Sequence, residues 1–150
     1  MIFKTKVRKQ KDIYYKYIVF SIINFIIALV LVCFYFVLSN DYLLFISGFI
    51  FLLGFLTTII TAHLYKIIPF LVWFYRFSNL VGKQKVPMLA DMVPVKSSDF
   101  GFAFYLLGFI LSLIAFIFSS DILFKSAVSF LFVGTSFIVK DVFYIINFKG

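Results

Sequence analysis

Four stretches of this chain are long enough to cross a bilayer, and none of them carries a charge in its middle. A helix rises about 1.5 Å per residue, so about 20 apolar residues span a hydrocarbon core ~30 Å thick. The first stretch, Ile18–Leu38, is 21 residues long and is interrupted by Ser21, Asn24 and Cys33. Tyr42–Ala62 and Phe102–Phe118 contain no charged residue. Ile122–Ile146 has Lys125 near one end and Lys140 with Asp141 near the other. Each run is apolar on every face, whereas a strand of a membrane barrel alternates apolar and polar residues. The expected fold class is therefore all-α, an integral membrane four-helix bundle forming a single domain over residues 1–150. Composition agrees. The chain is 64% hydrophobic and 13% charged, while a soluble domain is about a quarter charged. A soluble domain of this size still exposes much of its surface, so the solvent for this one is lipid.

The connections are unequal. Ser39-Asn40-Asp41 joins the first two runs and Ser119-Ser120-Asp121 the last two, and loops this short permit only tight antiparallel hairpins. Phe36, Ser39, Asp41, Leu43 and Gly54 recur as Phe116, Ser119, Asp121, Leu123 and Gly134, an offset of 80 residues. A duplicated hairpin would give this pattern, and so would two independent turns in a Phe-rich chain. Between the hairpins lies a long connection, residues 63–101, holding all three prolines.

Charge sets the orientation. Lys4, Lys6, Arg8, Lys9, Lys11 and Lys16 lie in a basic arm, residues 1–17. Lys66, Arg76, Lys83, Lys85 and Lys96 fall in the connection, and Lys140 and Lys149 close the chain. Only Lys125 falls toward the other side, where it can snorkel beside Asp121. By the positive-inside rule the basic side is cytoplasmic, with both termini there. The net charge of +8 then reflects topology and anionic lipid on the cytoplasmic face rather than nucleic acid. Ile18–Leu38 is too long for a signal peptide and lacks a small-x-small cleavage site, so it reads as an uncleaved anchor. Cys33 makes no disulfide alone and reads as a small buried hydrophobe.

The connection is the most informative segment. Pro69 donates no backbone hydrogen bond and disfavours helix at Ile68, so the second helix is expected to kink or stop there. Phe70–Phe77 is again apolar and includes Trp73 and Tyr75. Lys66, Arg76 and Lys83 can share one helical face, as in a helix lying in the interface. The alternative is a long kinked extension of the second helix. Residues Gly82–Pro94, with Pro87 and Pro94 and mixed polarity, read as an ordered extended loop. Gly82-Lys83 lacks the glycine spacing and the preceding strand of a phosphate loop, so nucleotide binding is rejected.

The run His63-Leu64-Tyr65-Lys66-Ile67-Ile68-Pro69-Phe70-Leu71-Val72-Trp73, then Arg76-Phe77-Ser78, then Gly82-Lys83-Gln84-Lys85-Val86-Pro87-Met88-Leu89-Ala90-Asp91-Met92 resembles a segment of large bacterial multi-helix membrane proteins. These are similar to the catalytic subunit of haem–copper oxidases and to NnrS-type haem proteins. The resemblance covers about residues 48–94. It implies a bacterial inner (plasma) membrane, kinship with respiratory complexes, and haem as the cofactor to consider, with His63 as the candidate ligand. The chain departs from that family in having one histidine, whereas haem–copper chemistry uses several. It therefore reads as a fragment or relative rather than a working oxidase.

The remaining residues favour packing. Asn24 is costly against lipid and should face another helix. Gly54 with Thr58, and Gly108 with Ser112, form small-xxx-small pairs that allow close helix approach. The hydroxyls of Thr57, Thr58 and Thr61 can bond back to the preceding turn. If the fourth helix ends near Val139, Lys140 and Asp141 are ordinary flanking residues; inside the membrane they would mark function. No constellation supports hydrolysis or group transfer. Three readings follow. The first is a non-catalytic subunit or assembly partner of a larger, respiratory-type membrane complex. It would use Lys66, Pro69, Trp73, Arg76, Lys83, Lys85, Pro87 and Asp91 at the interface with lipid, with other subunits or with itself. The second is a small transporter or channel. The third is a haem-binding electron carrier using His63 across an oligomer.

Overall fold

The computed structural model of the protein describes residues 13–148. These residues form four long helices and no strand: α1 (Ile13–Leu38), α2 (Asp41–Leu80), α3 (Val95–Phe118) and α4 (Asp121–Ile146). All four are long and apolar enough to cross a membrane, and the chain is a multi-pass membrane protein. Helix α1 packs against α2, and α3 against α4; α2 also meets α4, and α1 meets α3.

The buried faces are built from small and polar residues. Helix α1 buries Ile13, Tyr17, Ser21, Asn24 and Ala28, a stripe at spacings of three and four that brings one helical face inward. Helix α3 buries Ser98, Gly101, Tyr105, Gly108, Ser112 and Ala115. Helix α4 buries Ala127, Gly134, Ile138, Asp141 and Ile145. Phe36, Ile26, Phe118, Phe132 and many other long apolar side chains point outward. Lipid tails are as apolar as leucine, so such helices associate through close packing and hydrogen bonds rather than through hydrophobic burial. The two core clusters lie on either half of the bundle: Ile13, Tyr17, Ala62, Tyr65, Ile138 and Ile145 in one, and Ala28, Ile50 and Phe109 in the other.

The two hairpin turns share one geometry. Ser39 and Ser119 adopt left-handed backbone angles, φ 50° and 49°, and reverse the chain after α1 and α3. Asp41 and Asp121 each open the following helix, where a negative charge suits the helix dipole. Asn40 Oδ1 accepts from the Tyr42 amide at 3.0 Å, capping α2. At this turn end the Tyr42 hydroxyl donates to the Phe116 carbonyl and ties the hairpins together. Phe116 is ringed there by Phe45, Phe49 and Phe124.

Helix boundaries reach past the apolar runs. Helix α1 starts at Ile13, not Ile18, and α3 starts at Val95, not Phe102. Hydropathy marks the hydrocarbon layer, whereas the backbone stays helical into the interface. Helix α2 takes the second of the two courses open to it, the long extension past Pro69. It neither stops at Ala62 nor at Pro69; Pro69 is buried within it and the helix runs to Leu80. At about 1.5 Å per residue its 40 residues extend about 60 Å, twice the hydrocarbon thickness. The non-helical connection shrinks to residues 81–94, with one tight helical turn at Leu89–Met92. Lys83 therefore lies past the end of α2 and shares no helical face with Lys66 and Arg76. Cys33 is exposed rather than buried. The basic arm before Ile13, and Lys149, lie outside the described residues.

Helix α2 also holds a seven-residue π-helical segment, Ile50–Leu56. The Thr57 amide bonds Leu52 O, five residues back, leaving Leu53 O without its usual partner. Two hydroxyls take up that carbonyl: Thr57 Oγ1 at 2.5 Å and Tyr105 Oη, from α3, at 2.7 Å. The cost of a widened turn is met by a bond from the other hairpin, as π segments in membrane helices require.

Candidate functional site

All four helices converge on one buried carboxylate. Asp141, on α4, is 0% exposed. It lies 20 residues after Asp121, about 30 Å along the helix. That distance places it at the opposite end of the bundle from the hairpin turns, the end where the connection and most of the described cations sit. Its register follows from the α4 stripe, in which Gly134, Ile138, Asp141 and Ile145 recur at helical spacing. Because the helix runs to Ile146 rather than ending near Val139, Asp141 is an inward residue and not a flanking one.

Its Oδ2 is served twice. Tyr65 Oη, from α2, donates at 2.8 Å. Ser98 Oγ, from α3, lies 2.9 Å away, and the same hydroxyl lies 3.0 Å from Pro94 O, so its single proton chooses between them. Tyr17, from α1, completes the junction: its ring stacks on Tyr65 at 5.9 Å and 21° and meets Phe102 edge-on at 4.8 Å. Asp141 Oδ1 and the Tyr17 hydroxyl are both buried without a hydrogen-bond partner among the described residues, as is Ser97 Oγ. Buried polar atoms are nearly always paired, so these oxygens call for a physical account.

Polar groups continue along the bundle axis. Tyr105 Oη reaches Thr57 Oγ1 at 2.5 Å as well as Leu53 O. Asn24 is 4% exposed; its Nδ2 donates to Phe20 O at 2.8 Å. Its side chain lies 2.8 Å from where a Cβ on Gly54 would be. Thr58 bonds back to Gly54 O at 2.5 Å, Thr61 to Thr57 O at 2.7 Å and Ser112 to Gly108 O at 2.8 Å. The structure thus brings Asn24, Gly54 and Thr58 together at the α1–α2 seam, and Gly108 with Ser112 to the α3–α4 seam.

The connection residues stay apart from this junction. Trp73 Nε1 donates to Pro87 O at 2.9 Å, pinning the connection to the end of α2. Asp91 Oδ2 accepts from the Met88 amide at 3.2 Å, and Met92 is fully buried beneath. Arg76 donates to Phe148 O. Lys66 sits over the Tyr14 ring, 4.5 Å from its centre. Lys83, Lys85 and Asp91 are exposed.

His63 is exposed on α2, with Nδ1 2.7 Å from Ile59 O, and its ring meets Tyr14 edge-on at 6.1 Å. That leaves Nε2 as its outward nitrogen. No group of three or more His, Cys, Asp and Glu gathers among the described residues, and the chain has no second histidine. The donor set does not fit a bis-histidine haem held within one copy.

Tyr17, Tyr65, Ser98 and Asp141 carry the junction, and sequence reasoning singled out only Asp141 among them, without its partners. The spacing of Gly134, Ile138, Asp141 and Ile145 was the available signal, but in a helix apolar on every face the inward side has no polarity mark. Comparison with family models, curated proteins and solved structures gives no match, so the chain is identified by its architecture, a multi-pass four-helix membrane protein.

Proposed function

We propose that this chain is a non-catalytic membrane subunit or assembly partner of a larger membrane complex, with a respiratory complex the first candidate. In this reading it resides in a bacterial inner membrane, with the basic arm, residues 81–94 and the C-terminal residues on the cytoplasmic side. One observation carries the proposal. The connection is held in a defined shape by the Trp73–Pro87 and Asp91–Met88 bonds and by buried Met92. It nonetheless turns apolar side chains outward, Met88 67% and Val81 55% exposed, next to Tyr75, 79% exposed near the end of α2. Lys83 and Lys85 flank them. A fixed surface of mixed apolar and cationic character suits docking to a partner subunit with anionic lipid around it. The resemblance of residues 48–94 to haem–copper and NnrS-type proteins falls on this same region and supports the respiratory assignment.

The test is purification from the native host in mild detergent, followed by native mass. A second membrane subunit at fixed stoichiometry is expected, and Met88→Asp combined with Lys83→Glu should release it. A homogeneous 17.4 kDa species with detergent and lipid alone would overturn the reading.

A second reading, a small transporter, draws on Asp141, because an ionisable residue buried among membrane helices is a functional candidate by default. It predicts liposome flux that falls on substitution of Asn24, Thr57 or Thr58. Equal flux through those variants would remove it.

A further inference from the structure

Asp141 has a peculiarity that packing alone does not explain. Three cluster residues have a lysine next to them in sequence: Lys16 beside Tyr17, Lys66 beside Tyr65 and Lys140 beside Asp141. All three lysines turn to other partners. Lys16 pairs with Asp99 at 2.6 Å, the one ion pair among the described residues. Lys66 lies over Tyr14, and Lys140 lies 5.5 Å from the centre of the Phe137 ring. Arg76 is committed to Phe148 O. Among the described residues, the junction therefore contains one fully buried carboxylate and no cation.

An ionised carboxylate with no exposed surface carries a large desolvation penalty, several kcal/mol even after relaxation. The Tyr65 and Ser98 hydroxyls compensate Oδ2 in part. Oδ1 and the Tyr17 hydroxyl remain, both buried and both without a partner, on rings and helices held in register by the Tyr17–Tyr65 stack. What would satisfy two oxygens and cancel one negative charge is a single small positive charge. A divalent ion is disfavoured, because Asp141 is the one buried carboxylate among the described residues and a net charge would remain in an apolar surround.

We propose that the Tyr17–Tyr65–Ser98–Asp141 junction is a binding site for a small monovalent cation, an alkali ion or a hydron. Asp141 Oδ1 is its principal ligand and Tyr17 Oη the second oxygen. The site joins all four helices, so its occupancy stabilises the assembled bundle. The titratable groups facing it are Tyr17 from α1, Tyr65 from α2 and Asp141 itself from α4, while α3 contributes Ser98, with the Asp99–Lys16 pair beyond it.

The experiment is thermal unfolding of the purified full chain in detergent or nanodiscs. One arm replaces choline chloride by lithium, sodium or potassium chloride at constant ionic strength and pH. The other varies pH in choline alone, with infrared detection of a protonated carboxyl. For an alkali ion, Tm climbs with its concentration as mass action requires. Tyr17→Phe, which keeps the ring stack, then weakens the apparent affinity about tenfold, and Asp141→Asn abolishes the response. For a hydron, Tm responds to pH but not to alkali, and a carboxyl band present in the wild type is lost in Asp141→Asn and shifted in Tyr17→Phe. A wild-type Tm indifferent to both, or a response unchanged in Tyr17→Phe, overturns the proposal. The second result keeps the test decisive should Asp141→Asn not fold.

Discussion

The α1–α2 and α3–α4 hairpins turn through serines of the same left-handed geometry and carry glycines at matching positions, Gly54 and Gly134, yet they are held together by different groups. In α3–α4 backbone meets backbone. A Cβ on Gly108 would lie 2.7 Å from Leu131 N and 2.9 Å from Ala127 O, and one on Gly134 would lie 2.7 Å from Tyr105 N. In α1–α2 the glycine seats a side chain instead: Gly54 receives Asn24 at 2.8 Å, beside a π-helical turn stabilised by Tyr105 from the opposite hairpin. One hairpin is self-sufficient by shape. The other packs through a side chain and takes a hydrogen bond from the opposite hairpin at its π-helical turn. In a bilayer, where burial against lipid adds little, these are the two available ways to make helices adhere.

The comparison is broken most directly at the glycines. Gly108→Ala and Gly134→Ala force a methyl into backbone and should each cost about 1–3 kcal/mol. Gly54→Ala meets a side chain rather than backbone, Asn24 Cγ and Oδ1 at 2.8 Å and its Cβ at 2.9 Å; the amide can turn although Cβ cannot, so the cost should be smaller without vanishing. Reversible unfolding in mixed micelles measures all three, and an equal cost would erase the distinction. Next in size are Tyr65→Phe and Ser98→Ala, which remove donors from Asp141 where both hairpins join. Each should cost about 1–2 kcal/mol, and because they share Oδ2 the double variant should depart from additivity. Tyr105→Phe tests the borrowed bond and should cost about 1 kcal/mol, with hydrogen exchange accelerating between Ile50 and Thr57 while the α3–α4 seam stays protected. Acceleration spread evenly over both hairpins would show that they are one cooperative unit. The smallest effect belongs to the turns. Ser39→Gly and Ser119→Gly relieve left-handed backbone at an L residue and should stabilise by about 0.5 kcal/mol each. Their equality would confirm that the turns, unlike the seams, are equivalent.

The spans could be read from the chain because a hydrocarbon layer imposes length and apolarity on any helix that crosses it. The turns could be read because Asp41 and Asp121 follow short polar breaks. For α2 the chain left two courses open at Pro69, a stop or a long extension. Losing one amide donor disfavours a helix locally, and packing of the buried proline against neighbouring helices outweighs that loss. The π segment at Ile50–Leu56 gave no local signal, since it is stabilised by Tyr105 from a helix about fifty residues away. Cys33 was misread as buried because hydrophobicity does not distinguish protein from lipid as the surround.

The sequence by itself determined that the chain lives in a membrane, how many helices can cross it, and that most of its cations fall outside the two short turns. These follow from sums along the chain, of hydropathy and of charge. Only the tertiary structure decided which face of each helix turns inward. When every face is apolar, the inward one is chosen by steric fit and by polar groups finding partners on other helices. That choice placed Asp141 against Tyr65 and Ser98 rather than beside Lys140, and made a residue whose place the sequence left open the meeting point of all four helices.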